Sequence, residues 1–157
     1  MGLVVEPLTP EAFAPFGTVI EANPATAVEI NTGYTTRFHA LAEAAVGDGQ
    51  AILSIFRGRL RALTIAMLER HPLGSQAFFP LGGQPWLAVV ATGADLATCR
   101  AFHCRGDQGL QYNVNVWHHP LLVLGDAQDF LIVDREGEGN NLEEVFFDTP
   151  RVLELTS

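Results

Sequence analysis

The sequence contains no lysine; all nine of its basic residues are arginine. Without a lysine amine there is no Schiff-base nucleophile, no anchor for pyridoxal phosphate and no Walker-type phosphate loop. Serine is almost as scarce. Ser54, Ser75 and Ser157 are the only three, and none stands in a G-x-S-x-G elbow, which excludes the usual lipase-type triad. Acidic residues number 18, so the net charge is −9 and the pI is near 4.8. Nucleic-acid binding depends on clustered cations, and no nucleic-acid partner is expected. The longest apolar run, Pro85 to Ala91, is far short of the ~20 residues a membrane helix requires, so no membrane association is expected either. The chain reaches Glu6 and Pro7 before any apolar stretch long enough for secretion, which points to the cytoplasm. Two cysteines, Cys99 and Cys104, lie an odd number of positions apart. On a strand they would face opposite sides, as two reduced core thiols.

What is abundant is apolar. Hydrophobic residues make up 48% of 157 and charged residues only 17%, enough for one sizeable core and one domain over residues 1–157. Short apolar stretches punctuated by Gly, Pro, Asn and Asp recur throughout. They predict strands at Leu3–Glu6, Thr18–Glu21, Ile52–Phe56, Leu63–Leu68, Gln76–Phe79, Trp86–Ala91, Cys99–His103, Gln111–Asn113, Leu121–Leu124, Phe130–Val133 and Val152–Leu155. Their number and spacing specify an all-β sandwich or barrel with short helices. Thr9-Pro10 begins one such helix, with Thr as N-cap, Phe13 and Phe16 on its buried face and Gly17 as terminator. A second is predicted over Leu41–Val46. Trp86, Phe146 and Phe147 suit either the core or a subunit interface, with the core the more ordinary fate of each.

Five histidines occur, and two have suggestive company. Glu69 and His71 are two apart, so on a strand they project from one face as a base or metal-ligand pair. Pro72 and Gly74 turn the chain and let Gln76 return to the same place. His103, beside Cys104, reads as a structural histidine in an exposed turn. The spacing Glu69-x-His71-x4-Gln76-x6-Gly83 resembles the first cupin motif, and Gly109 to Leu121 resembles the second, with His118 in its histidine position. Of His118 and His119, adjacent on a strand, only one can enter a barrel. His118 is assigned inward and His119 to a second layer or a partner subunit. Arg37, Arg57, Arg70, Arg100 and Arg135 lie in or beside predicted strands, where a guanidinium needs a carboxylate partner. Most are expected to find it within the chain, and Arg57 is the candidate for an anionic substrate.

The blocks LERHPLGSQAFFP and WHHPL resemble the ureidoglycolate lyase family, and the resemblance runs from Leu3 to about Glu144. It includes Pro7-Leu8-Thr9, Phe16-Gly17, Ile30-Asn31, Arg37-x-His39, Ser54-Ile55-Phe56-Arg57 and Phe130 to Arg135. The resemblance implies a cupin-like β-barrel (a double-stranded β-helix), usually a homodimer, that cleaves ureidoglycolate to glyoxylate and urea. Glu69, His71 and His118 would then be catalytic, with Glu69 or His71 as base and His118 as proton donor. Gln76, Arg57, Tyr112 and Asn113 would bind the small anionic substrate. No cofactor is required by the sequence; a divalent metal ion, if present, would be held by Glu69, His71, Gln76 and His118, and a metal-free hydrogen-bonded cluster is an equal reading. The chain departs from the family at Asn113 and Val114, where relatives commonly have His-Arg. The competing readings are a non-catalytic cupin that binds small carboxylates and a cupin metalloenzyme acting on another small acid.

Overall fold

A computed structural model describes residues 2–156. Fourteen strands carry the fold. The first five are β1 (Leu3–Pro7), β2 (Gly17–Ile20), β3 (Ala27–Ile30), β4 (Thr35–Phe38) and β5 (Gln50–Arg59). They continue as β6 (Thr64–Arg70), β7 (Gln76–Pro80), β8 (Trp86–Ala91), β9 (Cys99–Cys104) and β10 (Gly109–Tyr112). The last four are β11 (Trp117–His118), β12 (Leu122–Val123), β13 (Ala127–Glu136) and β14 (Glu143–Glu154). The α-helix, α1, is one turn, Pro10–Phe13, and begins as its sequence dictates. Thr9 is extended, and its hydroxyl accepts from the Ala12 amide at 3.1 Å.

The strands form two large sheets. One runs β2-β10-β7-β13-β5; the other runs β11-β6-β14-β1-β9-β8-β12 and closes because β11 pairs with both β6 and β8. The result is an all-β, cupin-like barrel. Two apolar clusters fill it. The first takes Phe13 and Phe16 from the N-terminal segment, Phe78, Leu110, Tyr112, Phe130 and Ile132 from the five-stranded sheet, and Trp86, Ala88, Val90 and Phe102 from β8 and β9. Leu87, Val89 and Ala91 point the other way, into the second cluster with Val5, Ile65, Leu68 and Leu153. β8 is therefore buried on both faces, which explains its unbroken apolar sequence. Cys99 and Cys104 fall in different clusters on opposite faces of β9, both buried and unpaired as thiols.

Several expectations need correction. Leu41–Val46 is not helical. The backbone groups a helix would use internally are taken by distant partners: the Ala45 amide donates to Ser75 Oγ, while Gln111 Nε2 and Arg135 Nε donate to the Glu43 and Val46 carbonyls. Sequence patterning missed the β3–β4 hairpin, which is short and largely exposed, and most of β14, of which only the end was expected. Phe146 is 71% exposed, whereas Trp86 is buried and Phe147 packs half-buried on the second cluster. His103 is exposed but sits on β9, not in a turn. Gly83 has φ of +71°, a conformation that favours glycine at the end of the first motif. No helix among the described residues is long and apolar enough to cross a membrane.

Candidate active site

The end of β6, the two-residue β11 and the start of β7 meet at one end of the barrel. Glu69 and His118 are direct cross-strand partners, so their side chains lie side by side. His71, just past the end of β6, completes the group. Its ring centroid is 5.2 Å from that of His118, and its Nε2 is 3.9 Å from Glu69 Oε2. One ligand atom from each of Glu69, His71 and His118 lies within 4.8 Å of the other two. Together with Gln76 they line a cavity of about 900 Å³.

Each imidazole is held through its Nδ1. His71 Nδ1 lies 2.9 Å from the Asn141 carbonyl, and His118 Nδ1 lies 3.0 Å from the Val116 carbonyl. A carbonyl only accepts, so both Nδ1 atoms carry a proton, and in the neutral form of each ring Nε2 presents a lone pair. The Nε2 of His71 is buried without a partner among the described residues. Tyr112 stacks on His118 with ring centroids 4.2 Å apart and planes 12° from parallel, which fixes the second ring. Its own hydroxyl is pushed above the ordinary range by burial.

Burial also sets the charge of the cluster. It lowers the His118 pKa to about 3; the Val116 hydrogen bond opposes this and the neighbouring His71 and His119 add to it. His118 is therefore neutral near pH 7. Burial moves Glu69 upward, against the pull of His71 and with the push of Glu144 across the β6–β14 ladder. His119 faces away from His118 and is buried within the chain, with its Nδ1 at the Pro120 carbonyl.

The remaining candidates are dispersed. Tyr112 touches the cluster through His118. Asn113 is exposed and, like Val114, is absent from the cavity wall, so the departure from the family pattern lies outside this site. Arg57 reaches the rim, but its guanidinium is committed to Asp129 through two hydrogen bonds, at 2.7 and 3.1 Å. The expectation of internal partners holds for Arg70 with Glu143, Arg100 with Glu6 and Arg135 with Asp48; Arg37 makes no ion pair among the described residues. The cations that line the cavity without an ion pair among the described residues are Arg59 and Arg61, which sequence reasoning passed over. Their signal was the alternation Arg57-x-Arg59-x-Arg61 along and just beyond β5. Asp134, also missed, follows Phe130 and Ile132 at every second position of β13 and lines the cavity beside Gln76.

A carboxyl group and two imidazoles converging in a cavity of a cupin-like barrel form a donor set of the kind that enzymes use for acid–base or metal chemistry. The chain belongs to the ureidoglycolate lyase family, whose model, described as Ureidoglycolate lyase, matches residues 1–154. It is 55% identical to a protein named ureidoglycolate lyase from Rhizobium etli (strain CIAT 652), covering 96% of this chain and 95% of the relative. It is likewise 55% identical to one from Agrobacterium fabrum, over 96% of this chain and 95% of that protein. For one from Brucella melitensis biotype 2 the identity is 57%, over 92% of this chain and 89% of the relative.

Proposed function

We propose that this chain is a carbon–nitrogen lyase that splits ureidoglycolate into glyoxylate and urea, with the chemistry carried out by Glu69, His71 and His118. The observation that carries the assignment of roles is the pair of Nε2 lone pairs aimed beside a carboxyl group whose proton is favoured by burial. The reacting carbon of ureidoglycolate bears a hydroxyl, a carboxylate and a ureido nitrogen. Removal of the hydroxyl proton lets the carbonyl form as the C–N bond breaks, and the departing nitrogen must gain a proton to leave as urea. One proton is taken and one is given, so no oxidant or co-reactant is needed.

His71, with its Nδ1–H held by a carbonyl, takes the hydroxyl proton on Nε2, a buried atom that substrate entry must uncover, and Glu69 in its acid form supplies the proton to the departing nitrogen. Glu69 Oε2 lies 3.9 Å from His71 Nε2, so a side-chain rotation returns the proton and resets the pair. This exchanges the role first given to His118. A neutral His118 whose only N–H is committed to Val116 is an acceptor, suited to orienting the substrate hydroxyl. Arg61 and Arg59 provide the positive charge for the substrate carboxylate in place of Arg57.

The same three side chains fit a divalent cation. Two imidazoles anchored by backbone carbonyls with free Nε2 atoms, one of them buried and unpartnered, and a nearby carboxylate are a common donor set. Such an ion, when bound, would act as a Lewis acid toward the substrate oxygens. Gln76, grouped with the ligands from sequence, has its amide nitrogen committed to Asp134.

We further place the enzyme in the cytoplasm, which the two free buried thiols support. A homodimer is supported by the exposed apolar side chains Leu53 and Ile55 on β5, an edge strand of its sheet. Light scattering should give twice the 17.0 kDa chain mass.

The assay is glyoxylate release from ureidoglycolate. Glu69→Gln and His71→Asn should each cost about 10²-fold or more in turnover with melting behaviour retained. Wild-type protein that releases glyoxylate no faster than the uncatalysed reaction would refute the assignment.

A further inference from the structure

Gln76 and Asp134 form a polar pair in the cavity wall that proton transfer leaves unused. Gln76 opens β7 and shares its inward face with Phe78 of the core. Asp134 takes the next inward position on β13 after Phe130 and Ile132. Gln76 Nε2 donates to Asp134 Oδ2 at 3.1 Å. Because a carboxylate only accepts, this bond fixes the amide and leaves Gln76 Oε1 as a second acceptor. Neither Gln76 Oε1 nor Asp134 Oδ1 has a hydrogen-bond partner among the described residues, and neither is sealed from the cavity. The pair thus offers two acceptor oxygens, one of them charged, to whatever enters.

These acceptors select between the two ends of the substrate. A carboxylate brought to Asp134 would meet like charge, whereas a ureido group carries N–H donors on both nitrogens and satisfies a carboxylate well. The cavity-lining cations without an ion pair among the described residues, Arg59 and Arg61, lie toward and beyond the far end of β5 from Ile52, the cross-strand partner of Asp134. We propose that Asp134 and Gln76 recognise the ureido group by accepting its N–H bonds, and that they set the specificity of the site for ureido acids over small carboxylic acids that lack the group. The proposal rests on the ureidoglycolate reading of the cavity and adds the direction in which the substrate lies, ureido end at Asp134 and carboxylate toward the arginines.

Calorimetric binding to the intact protein tests it without turnover. Ureidoacetate keeps both ends of the substrate and lacks the reacting hydroxyl; glycolate keeps the carboxylate and lacks the ureido group. Asp134→Asn, close to isosteric, should weaken ureidoacetate about tenfold and leave glycolate within about twofold. Gln76→Leu, a second variant of similar volume, should give the same pattern, with thermal melting confirming that both fold. Equal loss of both ligands, no loss of ureidoacetate, or no ureidoacetate binding by the wild type would overturn the proposal. The expected binding pattern in a protein that releases no glyoxylate would sustain this proposal and remove the lyase reading.

Discussion

Replacing His118 by Asn keeps an N–H able to reach the Val116 carbonyl and removes the titrating ring. The stability consequence can be worked from the burial of that ring. Its pKa is 6.5 when free and about 3 in the fold, so between those values the unfolded chain holds a proton that the folded chain refuses. Stability attributable to His118 is therefore complete above pH 6.5 and is lost as the pH falls toward 3. While the folded form stays neutral, the loss is RT ln(1 + 10^(6.5 − pH)), almost nothing at pH 8 and on the order of 1 kcal/mol at pH 5.5. His119, also lowered by burial, adds a loss of the same sign. Glu69, whose pKa is raised, opposes it, since the fold then holds a proton that the unfolded chain gives up. Comparing wild type with His118→Asn leaves those two contributions in place. Urea unfolding at both pH values, at matched ionic strength, should show the wild type losing on the order of 1 kcal/mol more than the variant. Parallel losses in the two proteins would mean that His118 is not held neutral, and the acceptor role given to it would fall.

Arg61→Ala should raise KM for ureidoglycolate about fivefold or more, while Arg57→Ala, which removes a guanidinium already bound to Asp129, should move it less than about twofold. Steady-state kinetics on both variants checks the order. The double change Asn113→His/Val114→Arg lies outside the cavity wall and should leave turnover within about threefold; a large gain would show that the loop reaches the substrate. On the alternative reading, in which Glu69, His71 and His118 hold a cation, equilibrium dialysis with Mn²⁺ or Zn²⁺ should find about one ion per chain, with affinity about tenfold or more weaker in Glu69→Gln; no binding leaves the acid–base reading alone. Gly17→Ala would drive its methyl into the Gln111 backbone carbonyl, and denaturant unfolding should record a loss of about 2 kcal/mol or more.

The barrel strands were legible because their apolar residues repeat where burial demands them. β8 reads as a continuous apolar run since both of its faces are covered, and β13 alternates because only one is. The β3–β4 hairpin gave no such signal, since its stability does not come from burial. Leu41–Val46 misled because helix propensity is a local quantity, and the contacts with Ser75, Gln111 and Arg135 that hold the segment are separated from it by 30 or more positions. In the site, Glu69, His71 and Gln76 could be grouped from spacing, since one strand end and one turn fix them. Asp134 and Arg61 could not be placed there without knowing which strands are neighbours. The proton positions of the imidazoles depend on carbonyls at Val116 and Asn141, which no side-chain pattern reveals.

Asn141 ties the His71 ring to the turn that follows it. Its backbone oxygen holds the His71 ring, and its side-chain oxygen accepts from the Leu73 amide at 2.8 Å, so one residue between β13 and β14 grips both sides of the turn at Pro72. The His71 imidazole is thereby steered by a surface connection that contributes little to the folded core. Lengthening or stiffening the neighbouring stretch from Gly137 to Asn140 should shift the His71 ring, to which we assign the base role, while the barrel itself goes untouched.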